Sequence, residues 1–105
     1  MDKKSVIDLV KKSPSVLLYL TSDGCNVCKT LKPAIQNMLK TTFPEIHFFE
    51  ININENPEIA AHFQVFSIPV ILVFFEGNEF IRKGRAIGIS ELENEIKRPY
   101  SLLFE

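Results

Sequence analysis

Two cysteines are the residues best placed to do chemistry in this chain. They are the only ones among 105 residues, three positions apart in Gly24-Cys25-Asn26-Val27-Cys28-Lys29. The apolar run Val16-Leu17-Leu18-Tyr19-Leu20 precedes them and a helical pattern follows, so the C-x-x-C falls at a strand-to-helix junction. A sulfur at a helix N-terminus meets unpaired backbone N–H groups and the positive end of the helix dipole, which favour thiolate over thiol. The second sulfur lies one turn into the helix, close enough to close a short disulfide with the first. The spacing and its placement predict reversible dithiol–disulfide exchange.

Other uses of the pair fit less well. Two inert buried cysteines would not need a junction where reactivity is favoured. A structural zinc needs four ligands, and only His47 and His62 remain to supply them, one in a predicted strand and one on a helix far along the chain. An iron–sulfur cluster shared across a dimer has no positive support from two thiolates per chain. No metal site, nucleotide site or flavin site is expected, and hence no cofactor.

The elements that must carry the motif alternate. Residues 2–12 place Val6, Leu9 and Val10 at helical spacing, ended by Ser13-Pro14. Residues 16–21 are nearly all apolar, as expected of a strand covered on both faces. Over residues 27–39, Val27, Leu31, Ala34, Ile35, Met38 and Leu39 predict an amphipathic helix with Pro33 inside it, which should kink it. A strand over 46–53, a turn with an N-cap before Pro57 and a short helix over 57–63 follow. A strand then runs through 70–75, and Glu76-Gly77-Asn78-Glu79 reads as a tight connection to a returning strand at 80–83. Ser90 and Glu93 form a capping-box pattern opening a last helix, with Ile89, Leu92 and Ile96 on its buried face and Pro99 closing it. The apolar tail, residues 100–105, is expected to dock on the body.

This order predicts an α/β fold in which a mixed sheet of about four strands carries helices on both faces. A chain of this length is expected to form a single domain spanning residues 1–105 and a monomer. Twelve basic against thirteen acidic residues leave a net charge of −1, which gives no reason to expect a nucleic-acid or membrane-surface partner. The N-terminus lacks the apolar core and small-residue cleavage site of a signal peptide. The longest apolar stretch, residues 68–75, is too short to span a bilayer. A cytoplasmic location is the expectation, and a lone C-x-x-C in that reducing setting reads as catalytic or metal-binding rather than as a staple.

Four landmarks in order and spacing carry a family resemblance. They are the strand leading into Cys25-x-x-Cys28-Lys29, Pro33 in the next helix, Ile51-Asn52-Ile53-Asn54-Glu55-Asn56-Pro57, and Ile68-Pro69 followed by the 76–79 turn. Over nearly its whole length the chain resembles the thioredoxin family. The resemblance implies a thioredoxin fold in which Cys25 attacks a protein disulfide and Cys28, more buried, resolves the mixed disulfide. It implies a cis Ile68–Pro69 bond beside the cysteines, with the backbone of Ile68 pairing to the substrate as an added strand and Gly24 flanking the same site. Electrons would come from a separate reductase or from glutathione. Gly84 matches a glycine beside the groove, with Arg85 as a groove charge.

Departures from the family pattern matter as much. The usual W-C-G-P-C is Gly24-Cys25-Asn26-Val27-Cys28 here, and the chain has no tryptophan. The buried aspartate that serves the resolving thiol in the family is Tyr19 in this chain, a poor base at neutral pH. Its usual lysine neighbour is Glu50, which becomes the candidate proton acceptor. A second hypothesis from another class therefore stands beside the enzyme: a thioredoxin-fold adaptor or redox sensor with little turnover. His47 and His62 read as surface residues, and the nine phenylalanines as packing.

Overall fold

In the computed structural model, which describes residues 2–84 and 86–105, the alternating pattern folds into helices α1 (Lys3–Lys12), α2 (Asn26–Thr42), α3 (Pro57–His62) and α4 (Ile89–Phe104), with strands β1 (Ser15–Thr21), β2 (His47–Asn52), β3 (Val70–Phe75) and β4 (Asn78–Lys83). The strands form one sheet in the order β2-β1-β3-β4. β1 runs parallel to β2 and antiparallel to β3, and β4 returns antiparallel on β3.

The two central strands are buried along their whole length, as their unbroken apolar character requires. Alternation along β1 then divides the core. Leu17 and Tyr19 face one side, where α2 and α4 bring Ile35, Leu39, Leu92, Ile96 and both cysteines. Val16, Leu18 and Leu20 face the other, against Val6 and Val10 of α1 and Ile59 and Ala60 of α3. Helices thus cover both faces of a four-stranded mixed sheet, and the strand ends next to the C-x-x-C are held from two sides.

Several expected boundaries move. Pro99 does not close the last helix, which runs on to Phe104. Leu92, Ile96 and Tyr100 repeat every four residues, and burying Tyr100 against Phe43, with ring centroids 4.9 Å apart, carries the chain past the proline. The tail docks as the last turns of α4. Ser90 is already inside α4; Gly88 takes the N-cap position and no side chain caps the first turn. Asn56 stands before Pro57 but turns its side chain back to donate to the Asn52 carbonyl at 3.0 Å, so it caps nothing. The connection between β3 and β4 is only Glu76-Gly77, both at positive φ (52° and 82°), the conformation of a two-residue type I′ hairpin. Val27 and Ala34 are exposed rather than part of the buried stripe of α2, and two of the phenylalanines, Phe66 and Phe80, are exposed as well.

Candidate active site

β1 ends at Thr21, and after a short turn α2 begins directly behind Cys25. Gly24, at φ +75°, supplies the left-handed turn that a side chain would strain, and Cys25 follows in extended conformation as the N-cap. The Cys25 sulfur accepts a hydrogen bond from the Cys28 N–H at 3.2 Å, so it does for α2 what a serine or aspartate oxygen does at other helix starts. The same two residues are joined as a disulfide with their Cα atoms 5.3 Å apart. Cys25 is 9% exposed and Cys28 4%, which makes Cys25 the more accessible residue of the two. Lys29 points into solvent.

Beneath the motif, Tyr19 of β1 is wholly buried and donates its phenolic proton to the Cys28 carbonyl at 2.7 Å. Burial first, and the negative charge of Glu50 second, push this phenol up to about 12, so it stays neutral at physiological pH. Glu50 is the register partner of Tyr19 in the adjacent strand β2. Its carboxylate accepts from the Lys32 ammonium at 2.6 Å, and Lys32 lies one turn beyond Cys28 on α2. Tyr19, Cys28, Glu50 and Lys32 are thereby linked across three elements.

Ile68 packs on the core cluster that contains both cysteines, Pro69 is buried beside it, and the peptide bond between them is cis. Among the described residues, no backbone hydrogen bond within the fold engages the N–H or C=O of Ile68. On the outer face of α2, Asn26, Val27, Thr30, Leu31 and Ala34 line a shallow groove that starts inside the motif.

Besides the Tyr19 bond to Cys28, two features of the site were not read from the sequence. Lys32 needed the strand register to bring it to Glu50. The other is an amide clasp: the Asp23 N–H donates to Asn54 Oδ1 at 2.8 Å, and Asn52 Nδ2 donates to Asp23 Oδ1 at 2.7 Å. It ties the turn before Cys25 to the loop after β2. The run of three asparagines at 52, 54 and 56 was its available signal, since asparagine side chains bridge turns. The histidines stay away from this end: His47 pairs in register with Val16 at the far end of β1, and His62 packs on Phe63. No group of three metal-ligating side chains occurs among the described residues. Gly84 is exposed, with open space where a Cβ would stand, and Arg85 lies outside the described residues.

Comparison with known proteins matches this geometry to a family. A family model described as Thioredoxin matches residues 2–98. Thioredoxin-like protein YdfQ of Bacillus subtilis (strain 168) is 35% identical over 98 residues, covering 93% of this chain and 87% of that protein. A segment making up 14% of NADPH-dependent thioredoxin reductase 3 of Arabidopsis thaliana is 37% identical over 75 residues, 70% of this chain. Among solved structures, thioredoxin 1 from Thermosipho africanus TCF52B superposes with a TM-score of 0.75 at 32% identity, covering 83% of this chain and 96% of that one.

Proposed function

The chain belongs to the thioredoxin family and is a thiol–disulfide oxidoreductase, and from that premise we propose that Cys25 is its nucleophile and Cys28 its resolving cysteine. The Cys25 thiolate attacks one sulfur of a protein disulfide, whose S–S bond breaks and releases a thiolate. Cys28, deprotonated in its turn, attacks the Cys25 sulfur and displaces the second substrate thiolate. The substrate gains two electrons and two protons, and the enzyme is left as the 25–28 disulfide. The observation that carries this assignment is the Cys28 N–H held against the Cys25 sulfur at a helix N-terminus, where negative charge on that sulfur is favoured.

Gly24, Ile68 and Pro69 form the substrate-binding rim in this reading. The unengaged backbone of Ile68 is available to an extended substrate strand, and Pro69 packs beside it. Glu50 takes the proton from Cys28, supported by its register with Tyr19 and by the inability of a neutral phenol to act as a base. Family members use disulfide-bonded protein substrates and reductases such as thioredoxin reductase. For this chain we propose a monomer of one domain, residues 1–105, working in the cytoplasm on protein disulfides and recharged by a separate reductase or by glutathione, with no cofactor, nucleic-acid or membrane partner of its own. No helix among the described residues is long and apolar enough to cross a membrane.

Insulin reduction by dithiothreitol tests the assignment directly. The wild type should accelerate precipitation of the insulin B chain and Cys25→Ser should not. A wild type no faster than background would remove the assignment and restore the adaptor.

A further inference from the structure

Tyr19 occupies the place beneath the resolving cysteine with a group that donates a hydrogen bond and holds its proton. Its hydroxyl is directed at the Cys28 backbone carbonyl at 2.7 Å from inside a fully buried ring. Cys28 is the third residue of α2. One turn further on, Pro33 lacks the N–H that would otherwise reach the Lys29 carbonyl, so the helix is short of an internal bond right after the motif. The phenol therefore ties the start of α2, where the proline removes an internal bond, to a wholly buried central strand of the sheet, through the backbone of the residue whose sulfur must reach Cys25.

We propose that Tyr19 is a positioning residue for the resolving step: its hydrogen bond to the Cys28 carbonyl holds the first turn of α2 so that the Cys28 sulfur stays within reach of Cys25. The proposal deepens the dithiol–disulfide cycle and rests on it. Proximity fixed in advance raises the rate of an intramolecular displacement and favours its product. The bond thus acts on ring closure by Cys28 and leaves the first attack, made by Cys25, untouched. A purely structural bond, present only because a buried hydroxyl needs an acceptor, would stabilise the dithiol and disulfide forms alike.

Tyr19→Phe separates these cases, since phenylalanine keeps the ring and its packing beside Phe48. The first measurement is the equilibrium between dithiol and disulfide in glutathione buffers. Freeing the first turn of α2 in the dithiol form should lower the equilibrium constant for forming the 25–28 disulfide about fivefold. The second is a stopped-flow reaction of the reduced protein with an aromatic disulfide that releases a coloured thiolate at each step. The first release, from attack by Cys25, should keep its wild-type rate, and the second, from resolution by Cys28, should slow by a similar factor.

An unchanged glutathione equilibrium, or slowing of both releases alike, would overturn the proposal. So would a variant that fails to fold, because the hydroxyl would then be a requirement of the fold itself. The glutathione equilibrium needs no turnover of a protein substrate. A wild type inactive on insulin would therefore strike the proposed function, while the effect of Tyr19→Phe on the disulfide could still be read.

Discussion

α1 and α2 begin with the same device and put it to different uses. In α1 the Asp2 carboxylate accepts the Ser5 N–H at 2.8 Å; in α2 the Cys25 sulfur accepts the Cys28 N–H at 3.2 Å. In both, an N-cap acceptor meets the amide three residues on, at the positive end of a helix. The Asp2 carboxyl is held below its ordinary value by that bond. The carboxylate is charged in any case at neutral pH, so the bond serves only the helix. A thiol is mostly neutral at that pH, so the same preference for negative charge decides how much nucleophile is present. Local structure is common to the two helices, and the chemistry lies in the atom placed there.

Exchanging the atoms breaks the comparison most severely. Cys25→Asp gives α2 the cap of α1: insulin reduction should fall to background while the helix start survives. Measured against the reduced wild type, Cys25→Asp should be more stable than Cys25→Ala by about 1 kcal/mol in urea unfolding. If the two variants are equally stable, Cys25 is not acting as a cap.

The other end of the molecule gives the converse case, stability without chemistry. Tyr100 is 5% exposed, packs edge-on to Phe43, and its hydroxyl accepts the Glu45 N–H at 3.3 Å. Tyr100→Ala should cost about 3 kcal/mol in denaturant unfolding of both redox forms. The pH profile of Cys25 alkylation should stay where it is. A shifted profile would mean that the two ends are coupled through α4.

What could be read in the sequence follows the range of the physics involved. The C-x-x-C, its junction, the alternating elements and the buried strand after Pro14 are local patterns, and each reappears in the structure. Pro99 shows a local rule yielding to a longer one, because the apolar spacing Leu92, Ile96, Tyr100 outweighs the proline. The Ser90 capping box fails for the same reason: α4 starts two residues earlier, with Gly88 at the N-cap, so that Ile89 packs on the core with the rest of that face. On the underside of the site the family resemblance placed Tyr19 and Glu50, but the contacts they make were not legible. The Tyr19 bond to Cys28 depends on how α2 sits over β1, and the Lys32–Glu50 pair depends on the register Tyr19↔Glu50. Neither has a sequence period to announce it.

Glu50 sharpens the comparison at the second sulfur, which has no cap role of its own. Glu50→Gln removes the carboxylate while keeping its shape and its ability to accept from Lys32. Resolution of a mixed disulfide by Cys28 should slow by about 10²-fold if Glu50 is the proton acceptor. Trapping the mixed disulfide by rapid acid quench and weighing the fractions measures this step alone. Unchanged kinetics would return Glu50 to a surface ion pair with Lys32.

The smallest effect falls on α1, and it tests the premise in its simplest setting. Because the Ser5 N–H favours the charged form, Asp2 in the folded protein sits below 3.8, the value of the free group. The folded state therefore binds this proton less readily than the unfolded chain, and the contribution is present above about 3.8 and lost as pH falls through the lower folded value. Asp2→Ala should be slightly less stable than the wild type at neutral pH, with the difference closing in that acid window. Asp2→Asn, which caps without a charge, should keep its stability there relative to Asp2→Ala. Urea unfolding of the three proteins across the window reads the differences with every other carboxylate held in common. If Asp2→Ala parallels the wild type at every pH, a first-turn amide does not select the charged form of its acceptor in this protein. The thiolate preference at Cys25 would then have to come from the helix dipole alone.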